Sequence, residues 1–151
     1  MTVVDASVVL ELLVPTDPAR HDAIAQRLPQ PATPWLAPDI LAFEVFSVVC
    51  RHVRREKLSK EFASRALRRL TDLPIELVPT VSLIGPAWEW APRYSTSIAL
   101  YTALALRARE SLLTADPRLA DAARDAGAEV LLLKVPSVPR GVEHPPPRAS
   151  G

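Results

Sequence analysis

Two short apolar runs in this chain each end on an aspartate: Met1-Thr-Val-Val-Asp5 and Leu112-Leu-Thr-Ala-Asp116. Runs of this length without polar alternation read as strands buried on both faces. Further short runs, Trp35-Leu-Ala-Pro38, Ile75-Glu-Leu-Val78 (read as a core strand) and Glu129 to Leu133, alternate with helical patterns. Such alternation predicts an α/β sandwich built on a parallel sheet. Ligands of such sheets sit outside the carboxyl ends of the strands. Asp5 and Asp116 both lie at predicted carboxyl ends, so the pattern alone places them on one edge.

The segments between the runs carry ordinary helix punctuation. Val8 to Leu13 predicts a short helix. Pro15-Thr-Asp-Pro18 breaks it and caps a second helix reaching about Leu28. Pro29 to Pro34 is a proline-rich loop. Leu41, Val45, Val48 and Val49 form a stripe at helical spacing over about Asp39 to Glu56. Ser59 suits the cap of a helix to about Leu73. Pro86 and Pro92 break up Val81 to Ser95. Ser97 is placed to cap a helix over Ile98 to Arg109, Pro117 opens one to Ala126, and Gly127 stops it. The expected organisation is one domain over 1–134 and a proline-rich flexible tail over 135–151, with Pro136, Pro139 and Pro145-Pro146-Pro147.

A third acid stands out. Glu44 interrupts the apolar stretch Ile40-Leu-Ala-Phe-Glu44-Val-Phe-Ser-Val-Val49 and falls on the helical stripe, three after Leu41 and four before Val48. A carboxylate in apolar company is costly without a partner. Three carboxylates brought together raise one another's pKa. A dication with a preference for oxygen ligands, Mg²⁺ or Mn²⁺, relieves that repulsion. Such an ion acidifies a bound water and orients a phosphodiester, so the implied chemistry is hydrolysis of a nucleic-acid backbone. Ser7 and Thr114, each two residues from an aspartate, offer hydroxyls to orient carboxylates or water. The plainer readings are helix caps for Asp5 and Asp116 and an arginine partner, or a less buried face, for Glu44.

The length of 151 residues suits a single domain with a real core. The net charge of +1 hides an asymmetry. From Arg51 to Arg69 there are eight basic residues (Arg51, Arg54, Arg55, Lys57, Lys60, Arg65, Arg68, Arg69) against Glu56 and Glu61. That patch is either a solvated helix face or an attractor of polyanions. Cys50 is the single cysteine, which excludes a disulfide framework and a thiolate zinc site. No apolar run approaches the roughly 20 residues of a membrane span, and no signal-peptide pattern opens the chain. The expected location is the cytoplasm. His21, His52 and His144 form no set and read as surface residues. Cys50 reads as a small core residue. Trp88 and Trp90 flank Glu89 near a proline break and read as packing residues, with base stacking the alternative.

In order and spacing, these pieces resemble the PIN-domain ribonucleases, most closely the VapC-type toxins of bacterial toxin–antitoxin pairs. The resemblance covers about Thr2 to Leu133. Val3-Val-Asp5-Ala-Ser7 is similar to the opening strand with the first acid. Ala37-Pro38 and Phe43-Glu44-Val45 are similar to the second-acid helix, and Leu58-Ser-Lys-Glu61 to the next helix start. Ala99-Leu-Tyr-Thr-Ala-Leu-Ala105 and Leu112-Leu-Thr-Ala-Asp-Pro-Arg-Leu-Ala120 are similar to the last two signature segments. The resemblance implies a PIN-like three-layer α/β/α sandwich with a short, mostly parallel sheet. It implies Mg²⁺- or Mn²⁺-dependent cleavage of RNA by Asp5, Glu44 and Asp116, a VapB-type antitoxin partner, and a homodimer. One position departs from it. Ile98 stands where the family has an acid, and Thr102, one turn later, offers only a neutral hydroxyl. The chain is then either a nuclease weakened or inactivated at Ile98, or a non-catalytic PIN-like module that binds antitoxin or RNA. A haloacid-dehalogenase phosphatase fits less well, since it needs a second acid where Ser7 stands. A phosphoacceptor receiver domain needs clustered early acids that are absent.

Overall fold

A computed structural model describes residues 1–134; the proline-rich segment expected to form a flexible tail lies outside the described residues. Five strands form one sheet: β1 (Thr2–Val4), β2 (Trp35–Pro38), β3 (Ile75–Val78), β4 (Leu112–Thr114) and β5 (Val130–Leu132). Their order is β3-β2-β1-β4-β5, and every pairing is parallel. Val3, Val4, Leu112 and Leu113 are sealed from solvent, as strands covered on both faces require. β3 departs from the expectation of a core strand. It lies at the edge of the sheet, and Glu76 and Leu77 are exposed.

The helices divide between the two faces. β1 leads through α1 (Ala6–Leu13) and α2 (Pro18–Ala25) to β2, which leads through α3 (Ile40–Arg54) and α4 (Lys60–Asp72) to β3. The return path runs through α5 (Ile84–Trp88) and α6 (Thr96–Ala108) to β4, and then through α7 (Pro117–Asp125) to β5. Right-handed crossovers put the outgoing and returning helices on opposite faces. The packing agrees: α1 meets α2, α3 and α4, while α6 meets α5 and α7. The result is a three-layer α/β/α sandwich. Among the described residues, no helix is long and apolar enough to cross a membrane.

Local chemistry accounts for most boundaries. Asp17 accepts from the Arg20 N–H at 2.8 Å, with Pro18 in the first turn of α2. Ser59 accepts from the Phe62 N–H at 3.2 Å to start α4. Gly127, at φ +91°, takes the left-handed conformation that ends α7. Two boundaries correct the sequence reading. α2 stops at Ala25 rather than Leu28, ahead of the proline-rich loop. α6 begins at Thr96, capped by Ser95 rather than Ser97, because only Ser95 has the extended backbone of a cap. The stretch expected to be broken by prolines holds a short 3₁₀ turn, Thr80–Ser82, and α5.

Candidate active site

The chain leaves β1 toward β2 and, much later, enters β4 on the other side of β1. The gap between β1 and β4 is therefore the switch point of the sheet, where an α/β fold opens a crevice. Asp5 follows β1 and Asp116 follows β4, so the two aspartates stand side by side above that gap. An open cleft of about 540 Å³ lies there. Its lining includes Asp5, Glu44 and Asp116 together with Ser7, Ser97, Ile98 and Tyr101.

Asp5 is 6% exposed. It occupies the cap position of α1 but makes no capping hydrogen bond. The Ser7 hydroxyl donates to its Oδ1 at 2.7 Å, and accepts in turn from the Ala115 N–H at 2.9 Å. Ser7 thus ties the first acid to the strand end that carries the last. Burial pushes the Asp5 carboxyl up to about 6, and the hydroxyls of Ser7 and Thr114 only partly offset it. Asp116 is more open. It caps α7 by accepting from the Arg118 N–H at 2.9 Å, and its Oδ2 meets the Arg118 guanidinium at 3.3 Å. The Thr114 hydroxyl accepts from the Asp116 N–H at 2.9 Å and fixes the turn between strand and helix.

Glu44 is half-buried and belongs to the opposite helical layer. Among the described residues its partners are hydroxyls rather than an arginine. The Tyr101 hydroxyl donates to Oε2 at 2.7 Å, and the Ser97 hydroxyl donates to Oε1. Both donors come from α6, so Glu44 bridges the two layers over the rim of the sheet. Burial and the adjacent Glu44 carboxylate push the Tyr101 phenol far up, which keeps it a donor. The sequence does not mark Tyr101 as a partner of Glu44, and it offers Ser97 only as a helix cap. The spacing of Tyr101, three residues from Ile98 on one helix face, was the available signal.

Several expectations change. The carboxylates share a cleft without closing into a compact ligand set: among the described residues, no three His, Cys, Asp or Glu side chains are grouped to hold one ion. Glu44 is drawn toward α6, Asp116 toward Arg118, and Ile98 contributes hydrocarbon where a fourth acid was missing. Thr102 does not face the cleft; it is 1% exposed, and its hydroxyl lacks a partner among the described residues. α6 is buried almost all round, so position 102 turns inward and Tyr101 takes the place facing Glu44. His21 and His52 are half-buried rather than on the surface, and the His21 Nδ1 lies 3.2 Å from the Glu11 carbonyl. His144 lies outside the described residues. Cys50 is half-buried, Trp90 packs against the core and Trp88 is exposed.

The family model described as PIN domain matches residues 2–125. Ribonuclease VapC9 of Mycobacterium tuberculosis is 34% identical over 121 residues, covering 80% of this chain and 90% of that protein. This chain belongs to the PIN-domain family, among the VapC ribonucleases. Ribonuclease VapC3 of the same organism is 36% identical over 120 residues, covering 80% and 85%. The crystal structure of M. tuberculosis VapC20, described as a sarcin-ricin loop cleaving toxin, superposes with a TM-score of 0.61 at 20% identity over 81% of this chain and 95% of that one. The VapC assignment agrees with the architecture and with the order of the signature segments along the chain.

Proposed function

We propose that this VapC protein is a toxin endoribonuclease that hydrolyses RNA with a divalent cation, Mg²⁺ or Mn²⁺, at the cleft between β1 and β4. The observation that carries the reading is the convergence there of Asp5, Glu44 and Asp116 from three distant parts of the chain. The donor set fits a hard dication. Asp5 is a buried carboxylate whose charge no cationic side chain offsets among the described residues, and Asp116 is a partly open one beside it. Two carboxylates with water and substrate oxygens are a normal complement for Mg²⁺. Asp5 and Asp116 would hold the ion, and Glu44 would accept from a water on its open side.

When bound, such an ion supplies positive charge for the phosphate and acidifies water. The chain's own residues do the rest. Ser7 holds the Asp5 carboxylate in one orientation. Tyr101 and Ser97 keep Glu44 facing the cleft from the other layer. Arg118, now paired with Asp116, is exposed and lines the same cleft, where it would meet a phosphate when Asp116 is otherwise engaged. The expected partner is a VapB-type antitoxin that covers this cleft. A homodimer and a cytoplasmic location complete the proposal.

A second reading has its own observation. Ile98 lines the cleft in place of the acid the family carries, which favours a binding module with little cleavage. The test is an RNA-cleavage assay with Mn²⁺ on the wild type, Asp5→Asn and Ile98→Asp, with calorimetric titration of Mn²⁺ in parallel. Cleavage by the wild type, lost in Asp5→Asn, supports the nuclease. Ile98→Asp should raise Mn²⁺ affinity or rate by about 10–100-fold. Failure of both the wild type and Ile98→Asp to cut any RNA would leave the binding module.

A further inference from the structure

The exposed side of α3 carries three residues at helical spacing, Phe43, Ser47 and Arg51, and all three line the cleft. Residues four apart on a helix share a face, and eight residues span about 12 Å. Phe43, next to Glu44, is 72% exposed. An aromatic ring left this open forgoes the burial that usually stabilises it. Phe46 is also exposed, at 53%, but does not line the cleft. At the far end of the row Arg51 makes no ion pair among the described residues. Across the cleft Ile98 presents hydrocarbon rather than a charge that would repel phosphate.

We propose that Phe43 and Arg51 form a strand-guiding subsite along α3, in which the Phe43 ring stacks on an unpaired base and Arg51 holds a backbone phosphate of the same single-stranded RNA. This rests on the ribonuclease reading and adds to it the two residues of α3 that guide the strand past the acids. Only an unpaired base offers a free face to an aromatic ring. An arginine without an acidic partner gives a polyanion sequence-independent attraction. The two contacts at opposite ends of the row set the direction in which the strand crosses the acids.

The test measures fluorescence anisotropy of a labelled single-stranded oligoribonucleotide and of a blunt RNA duplex. All variants are made in an Asp5→Asn background, so that the strand survives. Phe43→Ala should weaken single-strand binding about 5- to 100-fold, leave the salt slope unchanged, and be rescued by Phe43→Trp. Arg51→Ala should reduce the slope of log affinity against log salt by about 0.7. Phe46→Ala should bind as the parent does. The proposal fails if Phe43→Ala binds the strand as tightly as the parent, or loses strand and duplex equally. It also fails if Phe43→Ala keeps RNA and loses only the antitoxin, which would make Phe43 part of a protein-docking face. Cleavage by the wild type together with an indifferent Phe43→Ala sinks this inference alone. A wild type that neither cuts nor binds RNA sinks the ribonuclease reading with it.

Discussion

Asp5 precedes α1 and Glu11 lies in its last turn, and the two side chains are almost equally shielded, at 6% and 4% exposed. Their surroundings differ. Glu11 accepts from the backbone N–H groups of Thr16 and Asp17, each at 2.7 Å, from the Thr16 hydroxyl at 2.6 Å and from Arg20 at 3.4 Å. Burial pushes its carboxyl up, but these donors outweigh that and hold it below its usual value. Asp5 has hydroxyl donors and weaker backbone ones but no cation among the described residues, and stays well above its usual value. Glu11 locks the turn between α1 and α2. Asp5 is left with capacity for an external positive charge. Burial therefore does not mark a functional acid in this protein; what marks it is a desolvated charge without an internal counter-charge, open to a cleft.

The largest expected effect separates the two acids by stability. Glu11→Ala strands Arg20 and two backbone donors, and should cost about 3–5 kcal/mol, read as a lowered urea midpoint. The protein that remains folded should keep its cleavage activity. An equal loss of activity per folded molecule would erase the contrast.

A somewhat smaller effect is expected at Asp5, with the opposite sign. Well below its ordinary value of 3.8 its carboxyl is neutral in both folded and unfolded chains. As pH rises toward about 6, the unfolded chain gives up the proton while the folded chain keeps it, so stability falls and then levels off. Relative to Asp5→Asn, the metal-free wild type should lose about 3 kcal/mol across that window. Saturating Mn²⁺ should shrink the difference. Parallel pH profiles for wild type and variant would refute the account of Asp5.

The smallest effect tests whether Glu44 is closer to the Glu11 type or the Asp5 type. Tyr101→Phe removes one of its two hydroxyl donors and should cost about 1.5 kcal/mol, measured by the same unfolding titration. A cost near zero would mean that water replaces the phenol and that α6 does not hold Glu44 in the way the α1–α2 turn holds Glu11.

Much of the frame was legible in the chain. The uninterrupted apolar runs identified the strands, and Asp17, Ser59 and Gly127 marked helix ends because each acts through backbone geometry a few residues away. The aspartates at strand ends were legible for the same reason: in a parallel sheet, the carboxyl end of a strand is a place known from sequence order alone. Glu11 was missed because its partners become visible only when the Pro15 to Pro18 break folds back over it. Ser95 and Ser97 are equally good caps by sequence, because a serine before a helical run fixes the helix start only to within two residues.

By itself, then, the sequence determined which segments are strands, that they run parallel, and that Asp5 and Asp116 share a rim, since strand burial and chain direction are local properties. Tertiary structure alone decided that Glu44 is held by Tyr101 and Ser97 from the opposite layer, that Thr102 turns inward, and that the three acids share a cleft without forming a tight cluster. Those outcomes depend on how two helical layers meet over the sheet. Side-chain partners more than fifty residues apart are chosen there by packing, which no local pattern encodes.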